Sequence, residues 1–149
     1  MSYPIISADS HITEAPNTYT DYIDKQWRDK APRIVTTESQ GDVFVIDGME
    51  RPIALGLVAA AGKDPDELAE GGVRFDDLHR GGWDPQARLA EQDQDGVAAE
   101  VIYPTVGMML CNHSDFAYKD ACFAAYNRWI AEYCAAHPAR LLGCGQSAA

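Results

Sequence analysis

Short apolar runs alternate with amphipathic stretches along most of this chain, and the alternation predicts its framework. Runs rich in β-branched and other apolar residues are typical of buried strands, and we expect these near 4–9, 99–103 and 140–144. Apolar positions spaced by three and four predict helices near 85–95 and 115–136. This alternation predicts an α/β fold with a parallel sheet and right-handed crossovers.

Polar residues mark the ends of both predicted helices. Asp84 followed by Pro85 is typical of an N-cap with proline at the first helical position, and Gly96 is typical of a helix end. Asp115 provides a second N-cap, and Pro138 ends the longer helix. One apolar face is expected on that longer helix, comprising Tyr118, Cys122, Ala125, Trp129 and Tyr133.

The segment between the first strand and the first long helix breaks this alternation. A short helix capped by Asn17 is expected to end before Pro32. Three short strands joined by glycine-containing turns are then predicted within 33–55, as a small antiparallel insertion. Residues from about 59 to 82 look irregular because glycines interrupt them, with one short helix starting at Pro65.

Composition and charge narrow the class of protein. With 149 residues, of which 46% are hydrophobic, the chain is long enough for one domain with a real core. A net charge of -11 argues against nucleic acid or an anionic membrane as the main partner, because both require basic patches. No run approaches the length of a membrane span, and the N-terminus lacks a basic segment followed by an apolar core. We therefore expect a cytoplasmic protein.

The four cysteines do not follow a zinc-finger or disulfide pattern. No C-x-x-C pair occurs, and two of the cysteines lie inside the apolar pattern of the longer helix. We interpret all four as small buried hydrophobic residues, namely Cys111, Cys122, Cys134 and Cys144.

The candidate chemistry begins at the end of the first predicted strand. Asp9 and His11 are two residues apart, so their side chains would project to the same face of a strand. A carboxylate and an imidazole together suit zinc, while the oxygen donor suits manganese. The alternative is an N-capping aspartate beside a solvent-facing histidine. A strand that delivers ligands at its C-terminal end is how a metal-dependent α/β barrel would begin.

Six sequence blocks carry a resemblance to a known family. They occur in family order across nearly the whole chain and read ISADSHITE (6–14), GGWDPQARL (81–89), DQDGV (93–97), EVIYPT (100–105), AYNRWI (125–130) and PARLLG (138–143). On these blocks the chain resembles the N-terminal part of the amidohydrolase-related family (amidohydrolase 2). That family includes the aminocarboxymuconate-semialdehyde and resorcylate-type decarboxylases.

The resemblance implies a fold, a cofactor and a reaction class. The family fold is a distorted (β/α)8 TIM-type barrel with a mononuclear metal at the C-terminal ends of its strands, and the first-strand metal pair maps onto Asp9 and His11. The implied activity is metal-dependent hydrolysis or decarboxylation of a small organic substrate, which could be aromatic or carboxylated. Zinc is the expected divalent metal, with manganese as the alternative, and the full-length form could be a homo-oligomer.

The chain departs from the family in length. A full barrel takes about 250 residues, and the later histidine ligands and the aspartate of the family have no counterpart here. We therefore interpret residues 1–149 as an N-terminal portion of the barrel domain, with about three parallel strands. Such a portion is expected to expose a strand edge and the inner face of the sheet, and to be inactive by itself.

Five further residues are candidates for the substrate pocket, each with a structural alternative. They are Glu14, His79, Tyr103, Thr105 and His113. Glu14 could orient the metal ligands or lie in a solvated loop, and the two histidines could contact substrate, lie at the surface or flank a helix cap. Tyr103 and Thr105 could line the pocket or belong to the core. The sequence assigns no catalytic residue.

Two functions from different classes remain open. In the first, the chain is part of a metal-dependent enzyme with a small-molecule substrate. In the second, it is a catalytically incomplete fragment that is inactive or serves as an interaction module. Strand-borne histidines and a late aspartate encoded further along the gene would favour the enzyme.

Overall fold

Two separate three-stranded sheets, with helices packed on them, form the framework of the part of the chain that the structure describes. A computed structural model describes residues 3–58, 60, 63–69 and 71–148. The strands are β1 (Ile5–His11), β2 (Arg33–Thr37), β3 (Gly41–Val45), β4 (Ile53–Ala54), β5 (Val97–Tyr103) and β6 (Leu141–Gly143). The α-helices are α1 (Leu55–Val58), α2 (Pro85–Asp95), α3 (Val106–Leu110) and α4 (Phe116–Ala135).

The predicted parallel sheet is confirmed. Its strand order is β1-β5-β6, and both neighbouring pairs are parallel. The predicted antiparallel unit is also confirmed, because β2, β3 and β4 form a second sheet of their own and none of them lies between the parallel strands. The fold class is therefore mixed α/β. No helix among the described residues is long and apolar enough to cross a membrane.

The two faces of the parallel sheet differ in their cover. One face packs on helices α2 and α4, and the residues it carries include Ile102 and Leu141, which are both buried. The register places Ile6, Tyr103 and Leu142 on the opposite face, where they are 56%, 37% and 40% exposed. This exposed side is called the open face below.

The caps predicted for the two long helices are present. The Asp84 carboxylate accepts hydrogen bonds from the backbone N–H groups of Gln86 (2.9 Å) and Ala87 (3.3 Å), and Pro85 begins α2. Gly96 ends this helix with a φ of 70°, in the left-handed region that favours glycine. Asp115 accepts a hydrogen bond from the N–H of Tyr118 at 3.0 Å and so caps α4.

Helix α4 provides one side of the hydrophobic core. All five positions of its predicted apolar face are buried, namely Tyr118, Cys122, Ala125, Trp129 and Tyr133. Across the core these residues join side chains from the segment after β1 and from the antiparallel sheet, including Ile12, Tyr19 and Phe44. The packing of this face ties the two sheets to one core.

The helix predicted after Asn17 is wrong. Turns occupy the segment that follows this residue, and the first helical geometry is a 3-10 helix at Lys25–Lys30. The side-chain amide of Asn17 donates to Asp21 instead of capping a helix. Tyr19 and Ile23 are nevertheless buried, so the apolar pattern identified core positions in a segment whose threonine, tyrosine and aspartate residues favour helix poorly.

Other local predictions also need correction. The third antiparallel strand is shorter than expected, since β4 ends at Ala54 and α1 begins at the next residue. Helix α3 was not predicted. Between 59 and 82 the described residues form short 3-10 helices at Pro65–Glu67, Phe75–Asp77 and Arg80–Gly82, while residues 59, 61, 62 and 70 lie outside the described part. Cys122 is buried as predicted, but Cys111 is exposed and contradicts the interpretation of all four cysteines as buried.

Gly41 lies where β3 meets the segment after α1. Its φ is 71°, and a Cβ atom added there would lie 2.4 Å from the carbonyl oxygen of Val73. The left-handed conformation alone costs a non-glycine residue about 1–2 kcal/mol. We therefore expect Gly41→Ala to lower the free energy of unfolding by more than this amount, as measured by urea denaturation.

Gly96→Ala provides the matched control for that prediction. Gly96 has a similar φ of 70°, but nothing lies within 4 Å of its added Cβ atom. Equal losses of stability in the two variants would show that the contact with Val73 does not constrain position 41.

Candidate metal site

Asp9 and His11 lie at the C-terminal end of β1 with their side chains together. The strand ends at His11, and the carboxylate Oδ1 of Asp9 is 3.5 Å from Nε2 of the imidazole. The side chains are 83% and 40% exposed, so the pair is open to solvent on one side. The strand therefore presents an oxygen donor and a nitrogen donor to the same point.

A hydrogen bond fixes which imidazole nitrogen is free to bind a cation. Nδ1 of His11 lies 3.0 Å from the carbonyl oxygen of Pro104. Because a carbonyl oxygen can only accept, Nδ1 carries the hydrogen, and in the neutral ring Nε2 keeps its lone pair. This is the arrangement of metal-binding histidines, whose second ring nitrogen donates to a backbone carbonyl or carboxylate.

The separation of the two donors fits a shared zinc ion. Ligands at about 2.0–2.1 Å from a tetrahedral zinc lie about 3.3–3.4 Å apart, close to the 3.5 Å between Asp9 Oδ1 and His11 Nε2. A neutral Nε2 and a carboxylate oxygen both present lone pairs, so a cation or a proton between them is needed for attraction. Among the described residues, no group of three or more His, Cys, Asp or Glu side chains could hold a metal ion.

The pair opens onto a cavity at the end of the open face. This cavity, of about 400 Å³, is called the mouth cavity below. Its lining comprises Asp9, His11, Tyr103, Pro104, Met108, Cys111, Cys144, Gly145 and Gln146. Its volume falls within the range of small-molecule sites, of about 300–1,000 Å³.

The five sequence-predicted pocket residues do not all reach this cavity. Tyr103 lines the mouth cavity, and its ring centroid lies 6.0 Å from that of His11. His79 lies elsewhere, in a second cavity of about 350 Å³ beside α2, where its Nδ1 is 2.8 Å from a carboxylate oxygen of Glu91.

Glu14 and Thr105 are buried, and neither is among the residues that line the mouth cavity. Glu14 is 0% exposed, and its carboxylate accepts hydrogen bonds from the backbone N–H groups of Thr105 (3.0 Å), Val106 (3.0 Å) and Gly107 (3.3 Å) at the start of α3. The Thr105 hydroxyl donates to the Ile12 carbonyl at 2.6 Å. Burial raises the pKa of Glu14, although these N–H groups oppose the rise.

His113 flanks the cap of α4, which was the structural alternative for this residue. It is buried, and its Nε2 donates to the carbonyl oxygen of Asp47 at 2.8 Å, while its Nδ1 accepts from the backbone N–H of Asp115 at 3.1 Å. Gly48 passes so close that an added Cβ would lie 2.8 Å from Nε2. The ring therefore joins the turn after β3 to the start of α4, and it has no nitrogen left for a substrate.

Sequence reasoning missed a polar cluster on the helix-covered side of β1. The Arg88 guanidinium pairs with the Glu100 carboxylate, with Nε 2.6 Å from one oxygen, and both side chains are only 12% exposed. The same carboxylate accepts from Gln92 at 2.7 Å and from the Ser10 hydroxyl at 3.1 Å. The signal that could have found the cluster is the single charged residue, Glu100, within the otherwise apolar strand β5.

The cluster keeps Glu100 ionised. Burial by itself would raise its pKa, but hydrogen bonds from Arg88 and Gln92, the positive charge of Arg88 and the Ser10 hydroxyl outweigh burial and hold that pKa below its ordinary value of 4.5. Since the pKa is lower in the folded state than in the unfolded state, the network stabilises the fold above pH 4.5, and this contribution is lost as the pH falls through the folded value.

One solved structure shares the fold over nearly the whole chain. It is the crystal structure of an amidohydrolase from Mycobacterium avium subsp. paratuberculosis K-10, with a TM-score of 0.67 and 20% sequence identity. The match covers 97% of this chain and 43% of that protein, so this chain spans less than half the length of its neighbour. The likeness shows an amidohydrolase-like fold. No protein-family model matches the chain, and neither does any curated protein sequence.

We predict that Glu100→Gln reduces the acid sensitivity of the fold. The variant should be less stable than the wild type at pH 7, by about 3 kcal/mol, because Arg88 loses its charged partner in a largely buried place. Between pH 5 and pH 3 the variant should lose less stability than the wild type. Chemical denaturation at several pH values measures both effects.

The matched control for this prediction is Glu50→Gln, at an exposed turn residue. It should change the free energy of unfolding at pH 7 by no more than about 0.5 kcal/mol, as is usual for an exposed side chain. If the stability of the Glu100→Gln variant depended on pH as that of the wild type does, the lowered pKa of Glu100 would not be the source of the acid sensitivity.

Proposed function

We propose that this chain supplies the first part of an amidohydrolase-type enzyme, a metal-dependent hydrolase or decarboxylase that acts on a small organic substrate. The observation that carries the proposal is the convergence of Asp9 Oδ1 and His11 Nε2, 3.5 Å apart at the end of the first parallel strand. The amidohydrolase-like fold supports it, because ligands at the C-terminal ends of strands are where such folds build their sites.

Asp9 and His11 would hold the divalent ion, for which zinc suits the donor set and manganese is the alternative. When bound, such an ion supplies a Lewis acid that activates water or polarises a substrate oxygen. The chain's own residues hold the imidazole in place, since the Pro104 carbonyl accepts from Nδ1 of His11 at 3.0 Å. Tyr103 and Met108 give the mouth cavity an apolar wall suited to an aromatic or carboxylated organic molecule.

The remaining ligands and the reacting groups would come from later strands of a barrel. Two protein ligands leave most of a coordination sphere to water, so we expect weak metal binding and no turnover by these 149 residues alone. Hydrolysis and decarboxylation differ in groups that the two proposed ligands do not include, so both reactions stay within the proposal.

The second candidate is an incomplete domain that acts through its surface. The observation that favours it is the open face, on which Ile6, Tyr103 and Leu142 are exposed although they lie on sheet strands. Exposed apolar patches of this kind mark interaction sites. This candidate predicts association through the open face with no zinc response at His11.

Zinc titration separates the two candidates. We expect His11→Ala and Asp9→Asn each to weaken zinc binding to the chain by at least about tenfold. Loss of a residue that only orients a metal ligand lowers metal affinity by about 10–100-fold, and loss of a ligand itself should cost more. Isothermal titration calorimetry measures the affinity and the stoichiometry.

His137→Ala is the matched control, since this histidine is exposed beyond the end of α4. Zinc binding that survives both site variants, or that falls equally in the control, would contradict the proposed metal pair.

A further inference from the structure

We infer that Arg88 is a positioning residue for His11, acting with Glu100 and Ser10 from the helix-covered side of β1. The inference rests on the proposed metal role of Asp9 and His11, and it concerns how the fold aims that pair at the mouth cavity.

A β-bulge in β1 decides which face carries the pair. Ser7 is opposite Glu100 and Ser10 is opposite Ile102, so β1 advances three residues where β5 advances two. Regular alternation from Ser7 would place Asp9 and His11 on the helix-covered face. Because of the extra residue, Ser10 lies on the same side of the strand as Ser7, and their hydroxyl oxygens are 2.7 Å apart. Asp9 and His11 therefore lie on the open face.

The Arg88 cluster holds the C-terminal end of this bulge. The Ser10 hydroxyl donates to Glu100 Oε1 at 3.1 Å, and Arg88 donates to the same carboxylate through Nε and Nη2. The third nitrogen of the guanidinium, Nη1, donates to the backbone carbonyls of His11 (3.1 Å) and Gly81 (3.1 Å). Arg88 therefore contacts the backbone of His11, the proposed metal ligand, directly. Its ion pair with Glu100 attaches the same guanidinium to β5.

Only a planar fork can make this set of contacts. The guanidinium presents five N–H groups in fixed directions, whereas a lysine ammonium is a single point charge on a flexible stem. A lysine at position 88 could pair with Glu100 but could not also bridge to the carbonyls of His11 and Gly81. The charge and the positioning function can therefore be separated by substitution.

Arg140, the residue before β6, offers a matched control beside the same sheet. Its guanidinium also donates to two backbone carbonyls, those of Ala98 (3.1 Å) and Val97 (3.0 Å), and to a carboxylate oxygen of Asp93 at 2.7 Å. These contacts lie at the other end of β5 and do not involve β1. Loss of Arg140 therefore removes a comparable set of hydrogen bonds without touching the strand that carries the proposed ligands.

The test is NMR of the His11 ring nitrogens in the whole chain, without metal and during titration with Zn²⁺. In the metal-free wild type the shifts should report hydrogen on Nδ1, which is held by the Pro104 carbonyl. Arg88→Met and Arg88→Lys should give mixed tautomers and weaken zinc binding about 10- to 100-fold, the range for residues that orient metal ligands. Arg140→Met should keep the single tautomer and the wild-type zinc affinity.

Ser10→Ala is a milder variant, because it removes one hydrogen bond to Glu100 and leaves the Arg88–Glu100 ion pair intact. We therefore expect this variant to fold. It should shift the tautomer balance in the same direction by a smaller amount. The inference would be overturned if Arg88→Met and Arg140→Met changed the His11 shifts equally. It would also be overturned if the Arg88→Lys variant kept the single tautomer of the wild type. Absence of a zinc response in the wild type would instead overturn the proposed metal role, while the metal-free tautomer still decides the positioning role.

Discussion

The pairing of β1 with β5 is the interaction on which the candidate site depends. It brings the end of β1 beside Tyr103 and Pro104, so that the carbonyl of Pro104 can accept from the His11 ring at 3.0 Å. The irregular register between Ser7 and Ser10 then directs the carboxylate and the imidazole to the open face. Each property of the pair, including its separation and its free nitrogen, follows from this local strand geometry.

Both faces of the parallel sheet contribute to this geometry in different ways. Behind the sheet, the Arg88–Glu100 ion pair is satisfied by Gln92, Ser10 and backbone carbonyls. Replacing a whole buried ion pair of this kind by apolar residues is often neutral for stability, whereas removing one partner leaves an unpaired buried charge and is strongly destabilising. In front of the sheet, the side chains of Ile6, Tyr103 and Leu142 leave an exposed apolar surface.

The sequence predicted the features that local chemistry determines. Asp84, Gly96 and Asp115 identified helix ends because their side chains or backbone conformations act within a few residues. The spacing of Asp9 and His11 predicted that their side chains lie together, and they do, although the strand is irregular between Ser7 and Ser10. The periodic apolar face of α4 was identified for the same reason.

Features that depend on partners far away in the sequence could not be predicted from the local sequence pattern. Glu14 is a charged residue that is fully buried because three backbone N–H groups from the start of α3 surround its carboxylate. His113 is likewise held by a distant partner, because the carbonyl oxygen of Asp47 in the turn after β3 accepts from its Nε2. The β-bulge has no marker among Ser7, Ala8 and Asp9, because it shows only in the register with which β1 pairs with β5.

The central claim is that Asp9 and His11 bind one divalent metal ion. The most direct measurement is anomalous diffraction at the zinc absorption edge from crystals of this chain grown with Zn²⁺. The account predicts one peak at about 2.0–2.2 Å from both Asp9 Oδ1 and His11 Nε2. A peak at His79 and Glu91 instead, or no peak beside His11 in crystals with zinc bound elsewhere, would contradict it.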